Sequence, residues 1–283
     1  MGRRFCSVPF SGGIFMIYKL LDRFSSFPCV DAIAIAGSRA SGSADEKSDY
    51  DVYIYTTEIL PEEERSALYS EFCSYNETGN KYFEYEDNII LNNGIPADII
   101  FRRLDDLCAL LERIVMQHKA RNGYTTCFWH NLVTSQIYFD RSGNLKAAKK
   151  RFDIPYPEEL RENIIKQNSA LLSGKIPSYD RQIMKAISRG DTVSINHRTA
   201  AFLESYFDII FALNRKTHPG EKKLIGICKK ECALLPADFE ENLNSLLSHL
   251  FSDSEKVKQD LEIIVREMNK LLSENGFDTE SME

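Results

Sequence analysis

Short apolar strands alternate with helical segments in the first half of the chain. Residues 30–36 (VDAIAIA) form a compact apolar run that ends at Gly37, which is typical of a buried strand that enters a tight turn. Residues 51–55 combine β-branched and aromatic side chains between polar flanks, which predicts a second strand. The pattern predicts further strands at 82–85, 88–91, 97–101 and 135–139, the middle two joined by a turn at Asn92-Asn93-Gly94.

Helical spacing follows these strands and then dominates the second half of the chain. Pro61 with three following glutamates suits a helix start, and apolar residues recur with the helical period over 107–118. Beyond two prolines near residue 155, three amphipathic stripes predict a bundle of about five helices. We therefore expect an α+β domain with a mixed β-sheet at residues 1–150, followed by an all-α helical bundle domain at residues 151–283.

The composition is that of an ordinary folded chain. Of the 283 residues, 43% are hydrophobic and 27% are charged, which excludes a collagen-like or wholly disordered protein. The formal net charge of -7 disfavours extended binding along a nucleic acid. No apolar run approaches the roughly 18 residues of a membrane span. The 7 cysteines are scattered without a CxxC pair, which is typical of a reduced intracellular protein.

The first residues resemble a targeting signal only weakly. Arg3 and Arg4 precede a modestly apolar stretch, but Ser11-Gly12-Gly13 interrupts it and no small-residue cleavage site follows. We therefore expect the protein to be cytoplasmic, and Met16 is an alternative start of the natural chain.

One stretch carries a pattern suited to phosphate and metal chemistry. The first strand ends in Gly37-Ser38, and about ten residues later Asp49 and Asp51 stand at the head of the next strand. Residues two apart in a strand point to the same side, so the two carboxylates repel each other unless a cation lies between them. The Gly-Ser turn offers exposed N–H donors and a hydroxyl, which suit a phosphate.

Asp98 supplies a third carboxylate. It stands in the strand predicted at 97–101, and the three acids converge if that strand lies beside the one that carries Asp49 and Asp51. Oxygen ligands of this kind suit Mg²⁺, which shares its coordination shell with substrate phosphates. Two such ions can bind a triphosphate, stabilise the leaving pyrophosphate and activate an attacking hydroxyl.

This pattern, over residues 28–102, resembles the nucleotidyltransferases of the DNA polymerase β superfamily. Their signature is a strand that ends in Gly-Ser, about ten intervening residues, Asp-x-Asp, and a third acid on a later strand. The segment 37–52 is especially similar to the bacterial branch that contains the aminoglycoside and lincosamide nucleotidyltransferases and the minimal nucleotidyltransferase antitoxins. The resemblance implies a nucleotidyltransferase fold for the α+β domain.

The resemblance also implies roles for the motif residues. Gly37 and Ser38 would bind the phosphates of ATP or another nucleoside triphosphate. Asp49 and Asp51 would bind two Mg²⁺ ions. Asp98 would be a third metal ligand, a general base, or both.

The second half resembles the antibiotic-modifying members more weakly. In those proteins a helical domain follows, and a lysine after an aromatic-rich helix touches the triphosphate. Lys222 fits that place best, with Lys223 as the alternative. Arg39 is either a further phosphate ligand or a solvated turn residue. Glu84 and Glu86 are alternatives for the catalytic base.

Other residues have simpler interpretations. We expect His218 to make local hydrogen bonds rather than to act as a catalyst, and Trp129, the single tryptophan, to serve domain packing rather than to stack on a base or a sugar. Glu204 and Asp208 lie four apart in a helical segment, so they form either a solvated face or a site for an amine.

We expect a Mg²⁺-dependent enzyme that transfers a nucleoside monophosphate, AMP from ATP in the first instance, to a hydroxyl of a small-molecule acceptor. An aminoglycoside-like antibiotic is one candidate acceptor. The alternative is an antitoxin-like or regulatory nucleotidyltransferase that modifies a protein or a tRNA. The sequence does not name the acceptor or the oligomeric state.

Overall fold

The computed structural model of the protein describes residues 12–37, 39, 48–174 and 177–277. The chain forms two compact units. The first unit combines the chain up to Leu110 with Asn131–Ile154, and the second combines Leu111–His130 with the chain from Pro155 onward. The boundary after residue 150 stays a prediction about separate domains.

The first unit contains a mixed sheet of six strands. They are β1 (Val30–Ala36), β2 (Tyr50–Thr56), β3 (Cys73–Asn80), β4 (Glu86–Leu91), β5 (Pro96–Arg102) and β6 (Gln136–Asp140). Their order is β3-β4-β5-β2-β1-β6; β2 and β5 are parallel, and the other neighbours are antiparallel. The predicted mixed sheet is confirmed, with its parallel pair at the centre.

Five helices are described between residues 12 and 152. They are α1 (Gly12–Ser26), α2 (Glu62–Phe72), α3 (Leu104–Leu111), α4 (Cys127–Thr134) and α5 (Asn144–Phe152). The π-helical turn Glu112–Met116 continues α3. The helix predicted over 107–118 is therefore present in part, and it ends before His118, whose φ is 55°.

One face of the sheet carries the core of the first unit. Alternate residues of the two central strands, such as Val52 on β2 and Ile99 on β5, are fully buried there. Helix α1 covers them with its own apolar side, on which Leu20 and Phe24 are likewise fully buried. The residues between these positions therefore point to the opposite face of the sheet.

A buried ion pair joins α2 to β4 on the core face. Arg65 donates two hydrogen bonds to the Asp87 carboxylate, at 2.7 and 3.1 Å, and both side chains are almost completely buried. Tyr69 donates its hydroxyl proton to the same carboxylate at 2.6 Å, and the Gly79 backbone N–H donates to it at 2.8 Å. The carboxylate thus exchanges its water shell for four hydrogen bonds, which offsets the cost of burying it.

The strand predictions differ in outcome. The strands expected at 51–55, 88–91, 97–101 and 135–139 are present with shifts of one or two residues at their ends, and the first one is present as predicted. The prediction of a strand at 82–85 is wrong, because these residues form a bend between β3 and β4. The strand β3 was not predicted, since its sequence CSYNETGN is polar and its conformation comes from pairing with β4.

The second unit is helical. After residue 157 its helices are α6 (Glu158–Leu172), α7 (Tyr179–Ser188), α8 (Thr192–Leu213), α9 (Leu224–Glu231), α10 (Phe239–His249) and α11 (Ser254–Glu274). Helix α8 packs against α6 and α7, and residues 205–213 are buried on every side, which makes α8 the central helix. The helical bundle is confirmed, with one helix more than expected in the described chain.

In the part of the chain that the structure describes, no helix is both long enough and apolar enough to cross a membrane.

Candidate active site

Two of the predicted acids lie side by side on the face of the sheet opposite the core. Asp51 on β2 and Asp98 on β5 are direct register partners in the parallel pair, so their backbones are about 4.8 Å apart. Both are half-buried, whereas their neighbours Val52 and Ile99 are completely buried on the other face. The condition on which the sequence argument depended, that these two strands are adjacent, is met.

Asp49 lies just before this pair. It is half-buried and precedes Asp51 by two residues, immediately ahead of the first residue of β2. Arg39 fixes this entry to the strand, since its Nε donates to the backbone carbonyls of Ser48 and Asp49, at 3.0 Å each. The Arg39 guanidinium also lies 3.9 Å from the centroid of the Tyr50 ring. Arg39 therefore holds the backbone that presents Asp49, and a phosphate contact by it stays a prediction.

Gly37 lies directly against Asp51. Its neighbour Ala36 is the register partner of Asp51 in the β1–β2 pair, and Gly37 itself has a φ of 64°. A Cβ atom added at Gly37 would lie 1.8 Å from Oδ2 of Asp51. Only glycine adopts this backbone conformation readily and leaves the carboxylate in its place. Ser38, the other predicted phosphate ligand of this turn, lies outside the described residues.

A polar residue that the sequence analysis did not single out holds Asp98. Asn88 on β4 is the register partner of Asp98 and donates from Nδ2 to Oδ1 of that carboxylate at 2.8 Å. Asn80 on β3 in turn donates from Nδ2 to Oδ1 of Asn88 at 3.0 Å. No spacing along the chain identifies these amides, because their relation to Asp98 depends on the pairing of three strands.

Further charged groups lie on the neighbouring strand and on β5. Burial, together with the nearby negative charge of Asp98, raises the pKa of Glu86 above its usual range. Glu84 accepts a hydrogen bond of 2.6 Å from Nε of Arg102, whose guanidinium stacks 4.1 Å from the Tyr53 ring centroid. Arg102 therefore compensates the charge of Glu84, whereas the structure pairs no arginine with Glu86 among the described residues.

The carboxylates provide the hard oxygen ligands that Mg²⁺ prefers. Among the residues described, no three His, Cys, Asp or Glu side chains are placed to hold a metal ion by themselves. Mg²⁺ in nucleotide sites is held by one or two carboxylates and completes its shell with waters and substrate phosphates. The adjacent Asp51 and Asp98, with Asp49 beside them in sequence, fit such an open site.

The predicted lysines lie in the second unit. Lys222 and Lys223 are exposed immediately before α9, and Lys223 has the left-handed φ of 58° at the helix N-cap. The structure therefore gives them different roles in the backbone, because Lys223 shapes the helix start. The assignment of Lys222 to a phosphate stays a prediction.

Asp208 is neither on a solvated face nor at an open amine site. It is buried, with its carboxylate accepting from the backbone N–H of Thr125 at 3.1 Å, from the Thr125 hydroxyl at 2.6 Å and from Asn168 at 3.2 Å. Burial raises its pKa to about 7. The interpretation of Glu204 and Asp208 as one surface pair is therefore wrong, since Asp208 ties the segment before α4 to α6 and α8.

His218 and Trp129 have the structural roles expected of them. His218 is fully buried; its Nδ1 accepts a 3.1 Å hydrogen bond from the Gly220 N–H, and burial lowers its pKa to about 3. Trp129 is also buried, with its ring 5.4 Å from that of Tyr156. Neither residue shows the exposure that contact with a substrate requires.

Comparison with known families identifies the first part of the chain. Residues 17–121 match the family model described as a nucleotidyltransferase domain. The fold of these residues is that of a nucleotidyltransferase domain. Residues 126–224 match a model described as a domain of unknown function, DUF4037. No curated protein sequence matches the chain significantly.

Solved structures show distant similarity to the chain. A nucleotidyltransferase-like protein from Exiguobacterium sibiricum is 13% identical with a TM-score of 0.42, over 93% of this chain and 76% of that one. An aminoglycoside 6-adenyltransferase from Bacillus subtilis is 8% identical with a TM-score of 0.27, over 93% and 92%. The Thermotoga maritima CCA-adding enzyme, in complex with tRNA, is 11% identical with a TM-score of 0.32, over 94% and 82%. The assignment of the nucleotidyltransferase domain therefore depends on the family match.

Proposed function

We propose that the protein is a Mg²⁺-dependent nucleotidyltransferase that transfers AMP from ATP to a hydroxyl group of a small molecule. The observation that carries the proposal is the direct pairing of Asp51 and Asp98 on parallel strands within the nucleotidyltransferase domain. Asp49, two residues before Asp51, adds a third carboxylate at the entry to the same strand.

In this proposal each acid has its own task. Asp49 and Asp51 hold the metal ions, and Asp98 either completes their coordination or accepts the proton of the attacking hydroxyl. When bound, Mg²⁺ neutralises the triphosphate and stabilises the charge that develops as pyrophosphate leaves. The acceptor oxygen forms a bond to the α-phosphorus while the bond from that phosphorus to the bridging oxygen breaks. The hydroxyl proton passes to a carboxylate, and pyrophosphate is the leaving group.

Gly37 and the turn that it opens would bind the phosphates. Because Gly37 has no Cβ, the Asp51 carboxylate lies directly against its backbone, beside the turn that would offer N–H donors to the phosphates. Lys222 would supply a positive charge to the triphosphate. These roles are the ones that the resemblance to the superfamily implies.

A small-molecule acceptor is favoured over a nucleic acid by the overall charge. The chain carries 42 acidic against 35 basic residues, so long-range attraction of a polyanion is weak. Modification of a protein or a tRNA is the other outcome that the experiments must distinguish.

The first experiment measures whether a nucleotide and a metal bind together. We expect ATP with Mg²⁺ to raise the melting temperature, and ATP alone to raise it much less. A ligand at a concentration of 100 Kd contributes about 2.7 kcal/mol to the free energy of unfolding, which is easily measured. The Asp51→Asn variant should lose the Mg²⁺-dependent part of this shift. Asp31→Asn, a half-buried aspartate on β1, is the matched control and should keep it.

The second experiment identifies the acceptor. Pyrophosphate release is measured with each nucleoside triphosphate against aminoglycosides, lincosamides and other polyols. Radioactive ATP could instead label a co-purified protein or a tRNA while no small molecule supports pyrophosphate release. That result would favour a protein or a tRNA as the acceptor. The absence of any Mg²⁺-dependent nucleotide binding, with Asp51→Asn and Asp31→Asn indistinguishable from the unmodified protein, would contradict the proposal.

A further inference from the structure

A chain of hydrogen bonds leads from the backbone to Asp98. The backbone N–H of Tyr82 donates to Oδ1 of Asn80 at 3.1 Å. Nδ2 of Asn80 donates to Oδ1 of Asn88 at 3.0 Å, and Nδ2 of Asn88 donates to Oδ1 of Asp98 at 2.8 Å. We call Asn80 and Asn88 the amide chain. It connects the end of β3, through β4, to the acid on β5.

The direction of every bond in the amide chain follows from its first donor. A backbone N–H can only donate, so the atom of Asn80 that meets Tyr82 must be the carbonyl oxygen. The NH₂ group of Asn80 then meets Asn88, which must present its own carbonyl oxygen there. The NH₂ group of Asn88 is consequently the part that faces Asp98. Rotation of either amide by 180° would replace two favourable bonds by repulsive contacts.

The chemistry of an amide suits this position. An arginine or a lysine beside Asp98 would neutralise the carboxylate, which reduces its attraction for a metal ion or a proton. A neutral N–H donor holds one oxygen in place and leaves the negative charge largely intact. Rotation of the Asp98 carboxylate about its Cβ–Cγ bond would break the hydrogen bond that Asn88 donates to it.

We propose that Asn88, oriented by Asn80, is a positioning residue that fixes the Asp98 carboxylate for nucleotidyl transfer. This inference rests on the proposed function, since it assigns the role through Asp98. Hydrogen-bond partners of metal-binding groups typically contribute about 10- to 100-fold to metal affinity or activity. Asn80 acts one bond further away, so its replacement should have a smaller effect in the same direction.

The first test needs no catalysis. The side-chain NH₂ resonances of Asn88 and Asn80 are assigned by NMR with Asn88→Ala and Asn80→Ala. In the metal-free protein, Asp98→Asn should shift the Asn88 resonances strongly and the Asn80 resonances less. The control is Asn76→Ala, which removes an amide on β3 four residues before Asn80. It should leave the side-chain resonances of both Asn80 and Asn88 unshifted. Unchanged Asn88 resonances in Asp98→Asn would overturn the proposal.

The second test distinguishes positioning of the Asp98 carboxylate from a purely structural role of Asn88 in holding β4 and β5 together. With Mg²⁺ and ATP as the probe, calorimetry gives the affinity, and pyrophosphate release with the fastest acceptor of the screen gives kcat and KM. Asn88→Ala should lower kcat or the Mg-ATP affinity by at least about 10-fold, while its melting temperature stays close to that of Asn76→Ala. In the Asp98→Asn background, the same replacement should have no further effect.

The possible failures are distinct. If the unmodified protein binds Mg-ATP and Asn88→Ala behaves like it, this inference is wrong while the proposed function stands. A loss that persists undiminished in the Asp98→Asn background would also overturn it, because Asn88 would then act elsewhere. If the unmodified protein binds no Mg-ATP, the proposed function fails first and this inference with it.

Discussion

Replacement of Gly37 by alanine should damage the site far more than the fold. An alanine would have to adopt the left-handed φ of 64°, at a cost of roughly 1–2 kcal/mol. Its Cβ would also lie 1.8 Å from Oδ2 of Asp51, so the carboxylate oxygen would have to move by about 1.6 Å to reach an ordinary contact distance of 3.4 Å. A misplacement of about 1 Å at a reacting centre can cost about 10²-fold in rate.

Gly94 provides the matched control for this substitution. It lies in the turn between β4 and β5 with a φ of 82°, and an added Cβ would meet nothing within 4 Å. Gly94→Ala therefore has the same kind of backbone strain without the collision. For domains of this size, each kcal/mol lowers the melting temperature by about 2–4 °C, so both variants should melt a few degrees lower.

The assay compares the two variants in pyrophosphate release and in the Mg-ATP-dependent thermal shift. Gly94→Ala should retain both at nearly the level of the unmodified protein, whereas Gly37→Ala should lose about 10²-fold in rate. When Gly37→Ala is added to Asp51→Asn, the two losses should not multiply, because both act on the same carboxylate. Equal activity of Gly37→Ala and Gly94→Ala would refute the close approach of Gly37 to Asp51 as a determinant of the site.

Three further predictions concern other parts of the molecule. Asp87→Asn leaves the buried guanidinium of Arg65 without its counter-charge, so urea titrations should show a free energy of unfolding lower by about 3–5 kcal/mol. Glu71→Gln, which removes the acid of an exposed ion pair, is the control and should change it little. Burial raises the folded-state pKa of Asp208 to about 7 from 3.8, so the folded state binds the extra proton and stability should fall as pH rises from about 4 to 7. Asp208→Asn should remove that fall, and urea midpoints at pH 5 and pH 8 measure it; an equal fall in both proteins would contradict the assignment. Lys222→Ala should raise the KM for ATP about 10-fold if it binds a phosphate, whereas exposed Lys223→Ala should not; equal KM values would remove Lys222 from the site.

The sequence was most informative where apolar residues form continuous runs. β1 and β5 were predicted because their buried residues are valine, isoleucine, phenylalanine and alanine, which need a sheet interior. β3 could not be predicted, because its polar residues adopt an extended conformation through pairing with β4. α1 was also not predicted, since the apolar stretch at its start resembles a weak targeting signal that Ser11-Gly12-Gly13 interrupts.

The same distinction applies to the site. The spacing of Asp49 and Asp51 indicated a shared strand face, and the adjacency of Asp98 could be stated as a condition that the fold then met. The role of Asn88 could not be predicted from the sequence, because polar strands often contain asparagine. Its role depends on the hydrogen bond to Asp98, which lies ten positions away on another strand. Asp208 was misjudged because a charged residue on a helix is usually exposed, and its buried partners are distant in sequence.

The alternation of the chain between the two units has a consequence for biosynthesis. Leu111–His130 belongs to the second unit but leaves the ribosome before the rest of that unit has been made. Thr125 gains its hydrogen bonds to Asp208 only after another 83 residues have been added. During that interval Asn131–Ile154 is synthesised and can complete the sheet of the first unit with β6. A nascent chain released near residue 150 would therefore carry a finished sheet and a segment that still lacks its later hydrogen-bond partners Asn168 and Asp208.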